Sequence, residues 1–227
     1  MSPRPYRMVQ RQAAADENRE RILAAARALL LGKDFSDFSM EAVARKANVS
    51  RLTIYYQFDS KSGLLEALYD SIARSGHLGQ LPEVFRLGND PLQKLHNFIE
   101  VFVQFWASER DVIRRLHALG AIDSEIGQGL RARNERRRNG LRVILEHYAH
   151  VYHQFTPPEE PVVLDTLHML TSFETFHGLA GNGRSADEVF KIIRKMADHA
   201  IGFSPRPISP IATPSLNLRR SRRRRRS

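Results

Sequence analysis

Apolar positions recur at steps of three and four along most of the chain, and no stretch alternates apolar with polar residues at any length. That period is the helical one, so the sequence predicts an all-α fold. Ile22, Leu23, Ala26, Leu29 and Leu30 mark a first helix over 16–31, ended by Gly32, with Phe35 and Phe38 packing behind it. Residues 39–58 read as two short helices around a tight turn. Leu64, Leu65, Leu68 and Ile72 line one face of a fourth helix from Ser60 to about Arg74. Gly76, Gly79, Pro82 and Gly88 then make residues 75–89 a breaker-rich connection. Further helices are predicted over Pro91–Ala107, Asp111–Leu119 and Ser124–His153, then from Thr156 to about Leu179 and from Ser185 to about Ile201. Thr156-Pro157-Pro158-Glu159 supplies a capping threonine, proline in the first turn and a following glutamate; Ser185-x-x-Glu188 is a capping box.

The segment Ser39–Lys61 has the most specific local chemistry. Ser39 can cap the first short helix, with Glu41 in its first turn where the dipole favours negative charge. Asn48 suits a turn that needs positive φ, Val49 follows it as an apolar plug, and Ser50 can cap the second helix. Among Leu52, Tyr55 and Tyr56 the spacing turns at least one inward. The remaining side chains suit DNA. An arginine such as Arg51 can pair with guanine, Gln57 with adenine, and Thr53 can touch a thymine methyl or a phosphate. Ser39, Tyr56 and Lys61 suit phosphate contacts, which position a helix without reading sequence. The expected DNA-binding set is Ser39, Ser50, Arg51, Thr53, Tyr55, Tyr56, Gln57 and Lys61.

Taken whole, this stretch resembles the signature of the tetracycline-repressor (TetR) family of one-component regulators. The elements that carry the resemblance are Val43-Ala44, Asn48-Val49-Ser50, Thr53-Ile54-Tyr55-Tyr56-Gln57-Phe58 and Lys61-Ser62-Gly63-Leu64-Leu65, within roughly residues 18–75. Asn48 stands where the family usually has glycine and Gln57 where it usually has histidine. The resemblance implies a three-helix DNA-binding head, a larger helical body that binds a small molecule and dimerises, and a palindromic duplex operator as partner. In this family the last two helices form the dimer's four-helix bundle.

Charge refines the partition. The net charge of +10 divides into +3 on residues 1–75, zero on 76–218 and +7 on the arginines of 219–227. The body is thus not itself a nucleic-acid surface. The expected organisation is a flexible basic arm over 1–15, a head over 16–60, a linking helix over 61–75, a body over 76–203 and a Pro/Ser- and Arg-rich tail over 204–227. The arm could enter a minor groove or be a solvated extension. The tail could bind any polyanion or have no role. The chain has no cysteine, so disulfides, thiol nucleophiles and cysteine-type zinc sites are excluded. No run of about 18 apolar residues suggests a membrane span, and no apolar stretch behind Arg4 and Arg7 suggests a signal peptide. A cytoplasmic protein is the expectation.

The body offers several candidates. Val162, Val163, Leu167, Leu170, Phe173 and Phe176, with Val189, Ile192, Ile193 and Met196, would form either a two-fold interface or intrachain core. Phe98, Phe102, Trp106, His117, Tyr148, Tyr152, Met169, Phe173 and His177 lie on helices that enclose the effector cavity in similar proteins, and aromatic walls suit a small-molecule pocket. They could equally be core. His147, His150 and His153 do not converge on a helix, because steps of three turn each by about 300°, so no metal site is expected. Arg131, Arg133, Arg136, Arg137 and Arg138 read as a solvated charged face, with a second DNA surface or an acidic-ligand gate as the alternatives. No cofactor is expected. The sequence thus points to a homodimeric DNA-binding regulator, a repressor released by a small molecule. The rivals are a ligand-independent architectural or cell-cycle protein on the same scaffold and, more remotely, an enzyme.

Overall fold

Helix α1 (Arg4–Leu30) begins within the segment assigned above to a flexible arm. Pro5 falls in its first turn, where a missing N–H costs little, and the following Gln-Ala-Ala-Ala-Asp-Glu run has strong helix formers. The computed structural model describes residues 4–32, 38–86, 88–152 and 160–202, and these contain helices and turns but no strand. Phe35, His153, the Thr156–Glu159 start and the 204–227 tail lie outside the described residues.

The head is α1 with α2 (Met40–Ala47) and α3 (Arg51–Phe58). Its core is Ile22, Leu23, Ala26, Leu30, Phe38, Met40, Val43, Ala47, Ile54 and Phe58. Removing a residue such as Ile54 from water contributes about 1.5–3 kcal/mol. Helix α4 (Lys61–Ser75) follows, with Leu64, Leu65, Leu68 and Ile72 buried as the periodicity predicts. The Ser60 hydroxyl caps it, accepting from the Gly63 amide at 2.9 Å. The α3–α4 junction is so tight that a Cβ at Gly63 would stand 2.2 Å from the Phe58 carbonyl oxygen.

The stretch read as a breaker-rich connection contains a 3₁₀ turn (His77–Gln80) and a short helix α5 (Leu81–Arg86). Gly76 and Gly79 break the α-helix without abolishing structure, and Pro82 sits in a first turn. The body continues with α6 (Pro91–Ser108), α7 (Arg110–Ile122), α8 (Ser124–Tyr152), α9 (Glu160–Leu170), α10 (Phe173–Ala180) and α11 (Ala186–Ala200). The single helix predicted to reach Leu179 is therefore two. Ser172 is the reason: its hydroxyl accepts from the Thr175 amide at 3.1 Å, starting a new helix where the old one stops. The Ser185–Glu188 capping box on α11 forms as expected.

Helix α6 is the body's centre, with Leu95, Phe98, Ile99, Val101, Phe102, Val103, Phe105 and Trp106 all buried. Of the candidate interface residues, Val163, Leu167, Leu170, Phe173, Phe176, Val189 and Ile193 are intrachain core, and Ile192 is half-buried. Val162 and Met196 remain exposed, as does their neighbour Met169. No helix among the described residues is long and apolar enough to cross a membrane.

Candidate functional site

The outer face of the head is built by two serine caps and one left-handed residue. Ser39 accepts from the Ala42 amide at 3.2 Å and Ser50 from the Thr53 amide at 3.0 Å. Between them Asn48 takes φ 51°, ψ 49°, the left-handed conformation that the turn demands. Its amide donates to the Arg45 carbonyl and the Val49 amide to the Ala44 carbonyl, so the end of α2 is satisfied. Ile54 and Phe58 anchor α3 inward. Its opposite face then carries Leu52 and Tyr56, 78% and 89% exposed, while Arg51 is exposed at the helix's N-terminal end.

Arg51, at the start of α3, is engaged within the head. It is paired with Glu41 of α2, donates to the Tyr55 hydroxyl at 3.0 Å and stands over the Tyr55 ring. The tyrosine hydrogen bond and then the Glu41 charge hold its guanidinium above the ordinary arginine range. Tyr55 is half-buried behind it, and Thr53 shares a hydroxyl contact with Ser50 at 2.7 Å.

Two expected DNA contacts are engaged elsewhere. The Gln57 amide turns back to α1 and donates to the Ala15 carbonyl at 3.3 Å, while Arg19 of α1 donates to the Gln57 carbonyl and covers the Phe58 ring. The N-terminal extension of α1 supplies that acceptor. Lys61 lies 3.8 Å from Asp123 at the α7–α8 turn. Leu52, absent from the expected set because an apolar residue reads as core, is the feature that sequence reasoning missed. Its signal was available: Ile54 and Phe58 define the buried face, and Leu52 lies off it.

Below the head, a half-open cavity of about 280 Å³ lies between α4, the 3₁₀ turn, α5, α6 and α8. Phe98, Phe102 and Trp106 of the expected ligand set line it, joined by Tyr69, Leu78, Leu81 and Phe85. The other six expected residues do not line it. His117 donates to Glu174 at 3.0 Å, Phe173 is buried against Trp106, and His177 accepts from Arg110. Tyr148 lies against Tyr152 with the rings tilted by 43°, the Tyr152 hydroxyl donates to Asp90, and Met169 faces solvent. Phe173 and His177 lie on α10, beyond the helix break at Thr171–Ser172.

The cavity's polar wall comes from the arginine run, which is not simply solvated. Arg133 donates to Asp70 at 2.7 Å and covers the Tyr69 ring at 4.5 Å. Arg138 pairs with Asp165. Arg137 is only 5% exposed, lines the cavity, and faces the rings of Phe102 and Trp106 at 5.8 and 6.0 Å. Burial lowers its guanidinium to about 10, still cationic at neutral pH. Its Nη2 lies 3.0 Å from His168 Nε2. Arginine can only donate, whereas the Asn134 carbonyl, 3.2 Å from the same nitrogen, can only accept; burial, then the Arg137 charge, holds the His168 pKa below the ordinary value. Burial likewise raises the Tyr69 phenol to about 12.

An all-α chain with a helix-turn-helix head above a cavity-bearing helical body is the class that this geometry defines. Residues 22–68 match the profile of bacterial regulatory proteins, tetR family. The chain is similar to the HTH-type transcriptional regulator EthR of Mycolicibacterium smegmatis, with 32% identity over 95 residues, 42% of this chain and 44% of EthR. It is also similar to the HTH-type transcriptional regulator SrpR of Pseudomonas putida, with 37% identity over 59 residues, 26% of this chain and 28% of SrpR. The matched region thus spans less than half the length of either relative. The fold is shared with NalD of Pseudomonas aeruginosa, the secondary repressor of the MexAB-OprM multidrug efflux pump. That likeness has a TM-score of 0.60 at 23% identity and covers 81% of this chain and 96% of NalD.

Proposed function

We propose that this chain is a homodimeric transcription regulator, a repressor that leaves a palindromic operator when a small molecule enters the body cavity. One observation carries the proposal: α3 buries Ile54 and Phe58 and presents Arg51, Leu52 and Tyr56 outward beside the serine-capped turn. These are side chains for guanine, thymine methyl and phosphate respectively. Two copies would read half-sites about 34–36 Å apart, and the exposed Val162, Met169 and Met196 on α9 and α11 favour pairing through those helices. EthR, SrpR and NalD are named as regulators or a repressor, which supports regulation rather than catalysis as this chain's role. Its place of action would be the cytoplasm, with the DNA.

Signal transfer would run through α4. Its start bonds to the α7–α8 turn through Lys61–Asp123 and through Ser62, which donates to Glu125 at 3.0 Å. Its middle bonds to α8 through Arg133, and its Tyr69 and Ala73 line the cavity. A ligand there touches the helix that leaves the recognition helix. Each tenfold loss of DNA affinity requires it to prefer the released state by about 1.4 kcal/mol. The cavity weighs against a ligand-independent architectural role.

The test is fluorescence anisotropy with duplex DNA from upstream of the protein's own reading frame, with and without a metabolite panel, on the full chain and on a chain ending at residue 203. Specific, releasable binding by a dimer is expected. A monomer that binds every duplex equally, or none, would end this reading.

A further inference from the structure

The cavity has one-sided charge. Arg133, Arg136 and Arg137 of α8 all line it, and their spacing of three and four puts them on one helix face. Arg133 has Asp70 as a counterion. Arg137 has no carboxylate within ion-pair distance among the described residues, and Glu174 attracts it only from longer range. Its Nη2 faces His168, with Nε2 at 3.0 Å and the backbone carbonyl oxygen at 3.4 Å, and its Nε is buried without any hydrogen-bond partner. A buried cation without an anion is costly. A methionine or leucine would fill the same space beside Phe102 and Trp106 without that penalty. The cavity's apolar lining includes the rings of Phe98, Phe102 and Trp106, tilted to one another by about 40°. The volume of about 280 Å³ is at the small end of ligand pockets.

We propose that the cavity's ligand is a small amphipathic carboxylate, its head paired with Arg137 and its aromatic or aliphatic body lying on Phe98, Phe102 and Trp106. A planar guanidinium matches a carboxylate's two oxygens, and the anion supplies the acceptor that Nε lacks. This inference rests on the effector reading above and names the chemistry of that effector.

Trp106 is the single tryptophan of the chain and lies in the cavity wall, so its emission reports the site. The full-length protein is titrated with 4-phenylbutyrate and octanoate, and in parallel with 4-phenylbutyramide and octanamide, which keep the shape and lose the charge. The acids should shift Trp106 emission saturably and bind about tenfold or more tighter than the amides. Arg137→Met should reduce that preference to about twofold or less, and Arg137→Lys should restore part of it, because a point charge lacks the fork. Circular dichroism checks that the variants fold. If Arg137→Met does not, high salt should narrow the acid–amide gap on the unsubstituted protein instead. The proposal is overturned if amides bind as well as acids, if the preference survives Arg137→Met, if salt leaves the gap unchanged, or if none of the four probes moves Trp106 emission at millimolar concentration. Operator anisotropy run on the same samples separates the two readings. Acids that bind without changing DNA affinity leave the carboxylate site standing and remove the effector role. A neutral compound that binds equally and releases DNA does the reverse.

Discussion

Arg133 on α8 donates to the Asp70 carboxylate on α4 across 2.7 Å, and its guanidinium covers the neighbouring Tyr69 ring at 4.5 Å. A second bond from Arg133 reaches the Glu66 carbonyl one turn earlier, at 3.0 Å. One side chain of the cavity wall therefore holds two successive turns of the helix that leads to the head. Arg133→Ala should leave operator affinity without ligand within about threefold and weaken the ligand's effect on it. A double-mutant cycle of Arg133→Ala with Asp70→Ala, read as thermal stability, should give a coupling of about 0.5–3 kcal/mol. Additive losses would show that the pair transmits nothing.

The DNA face predicts two kinds of defect. If Arg51 reads a base as proposed, Arg51→Ala should cost roughly 1–3 kcal/mol on the operator and little on random duplex. Leu52→Ser should weaken the operator selectively if Leu52 meets a thymine methyl. Lys61→Ala should weaken both duplexes alike and lower the salt slope by less than about one, because Lys61 is already shared with Asp123. Anisotropy across a salt series separates these outcomes.

Gly63 and Gly178 make a paired stability prediction. A methyl at Gly63 meets the Phe58 carbonyl at 2.2 Å, whereas at Gly178 it meets nothing within 4 Å. Gly63→Ala should cost about 1–3 kcal/mol through the forced backbone shift. Gly178→Ala, inside α10, should add about 0.5–1 kcal/mol. Differential scanning calorimetry should register opposite shifts of roughly 2–4 °C per kcal/mol.

Acid stability should depend in part on Glu174. Its hydrogen bond from His117, with help from the first turn of α10, holds the carboxyl at about 2, below the ordinary 4.5. A depressed carboxyl stabilises the fold fully above 4.5, and that contribution disappears as pH falls toward 2. Glu174 is mostly exposed, so the contribution is under about 1 kcal/mol. Glu174→Gln should lower the melting temperature at pH 7 by at most about 2–4 °C, and the two proteins should converge only as pH approaches 2. A constant gap across that range would assign the effect to packing.

Much of the head was legible beforehand because its rules are local. Ser39, Asn48 and Ser50 are caps and a left-handed turn that need only neighbours three residues away, as does the Ser185–Glu188 box in the body. The extent of α1 was not, since its Pro5 reads as a breaker until the first-turn position is known. Nor was the split at Ser172, where a capping hydroxyl competes with an apolar pattern that runs on at helical period.

The amino-acid order alone determined the helical class, the α2–turn–α3 unit and the inward faces of α4 and α6, because periodicity and caps act within one or two turns. Only the tertiary structure decided that Gln57 faces Ala15, that Leu52 is bare, and that Arg137 is buried beside Trp106 rather than solvated with its neighbours. Burial depends on which distant helices meet, and an arginine on α8 carries no mark of the α6 rings it will face. The cost of enclosing its charge arises only when those surfaces exclude water.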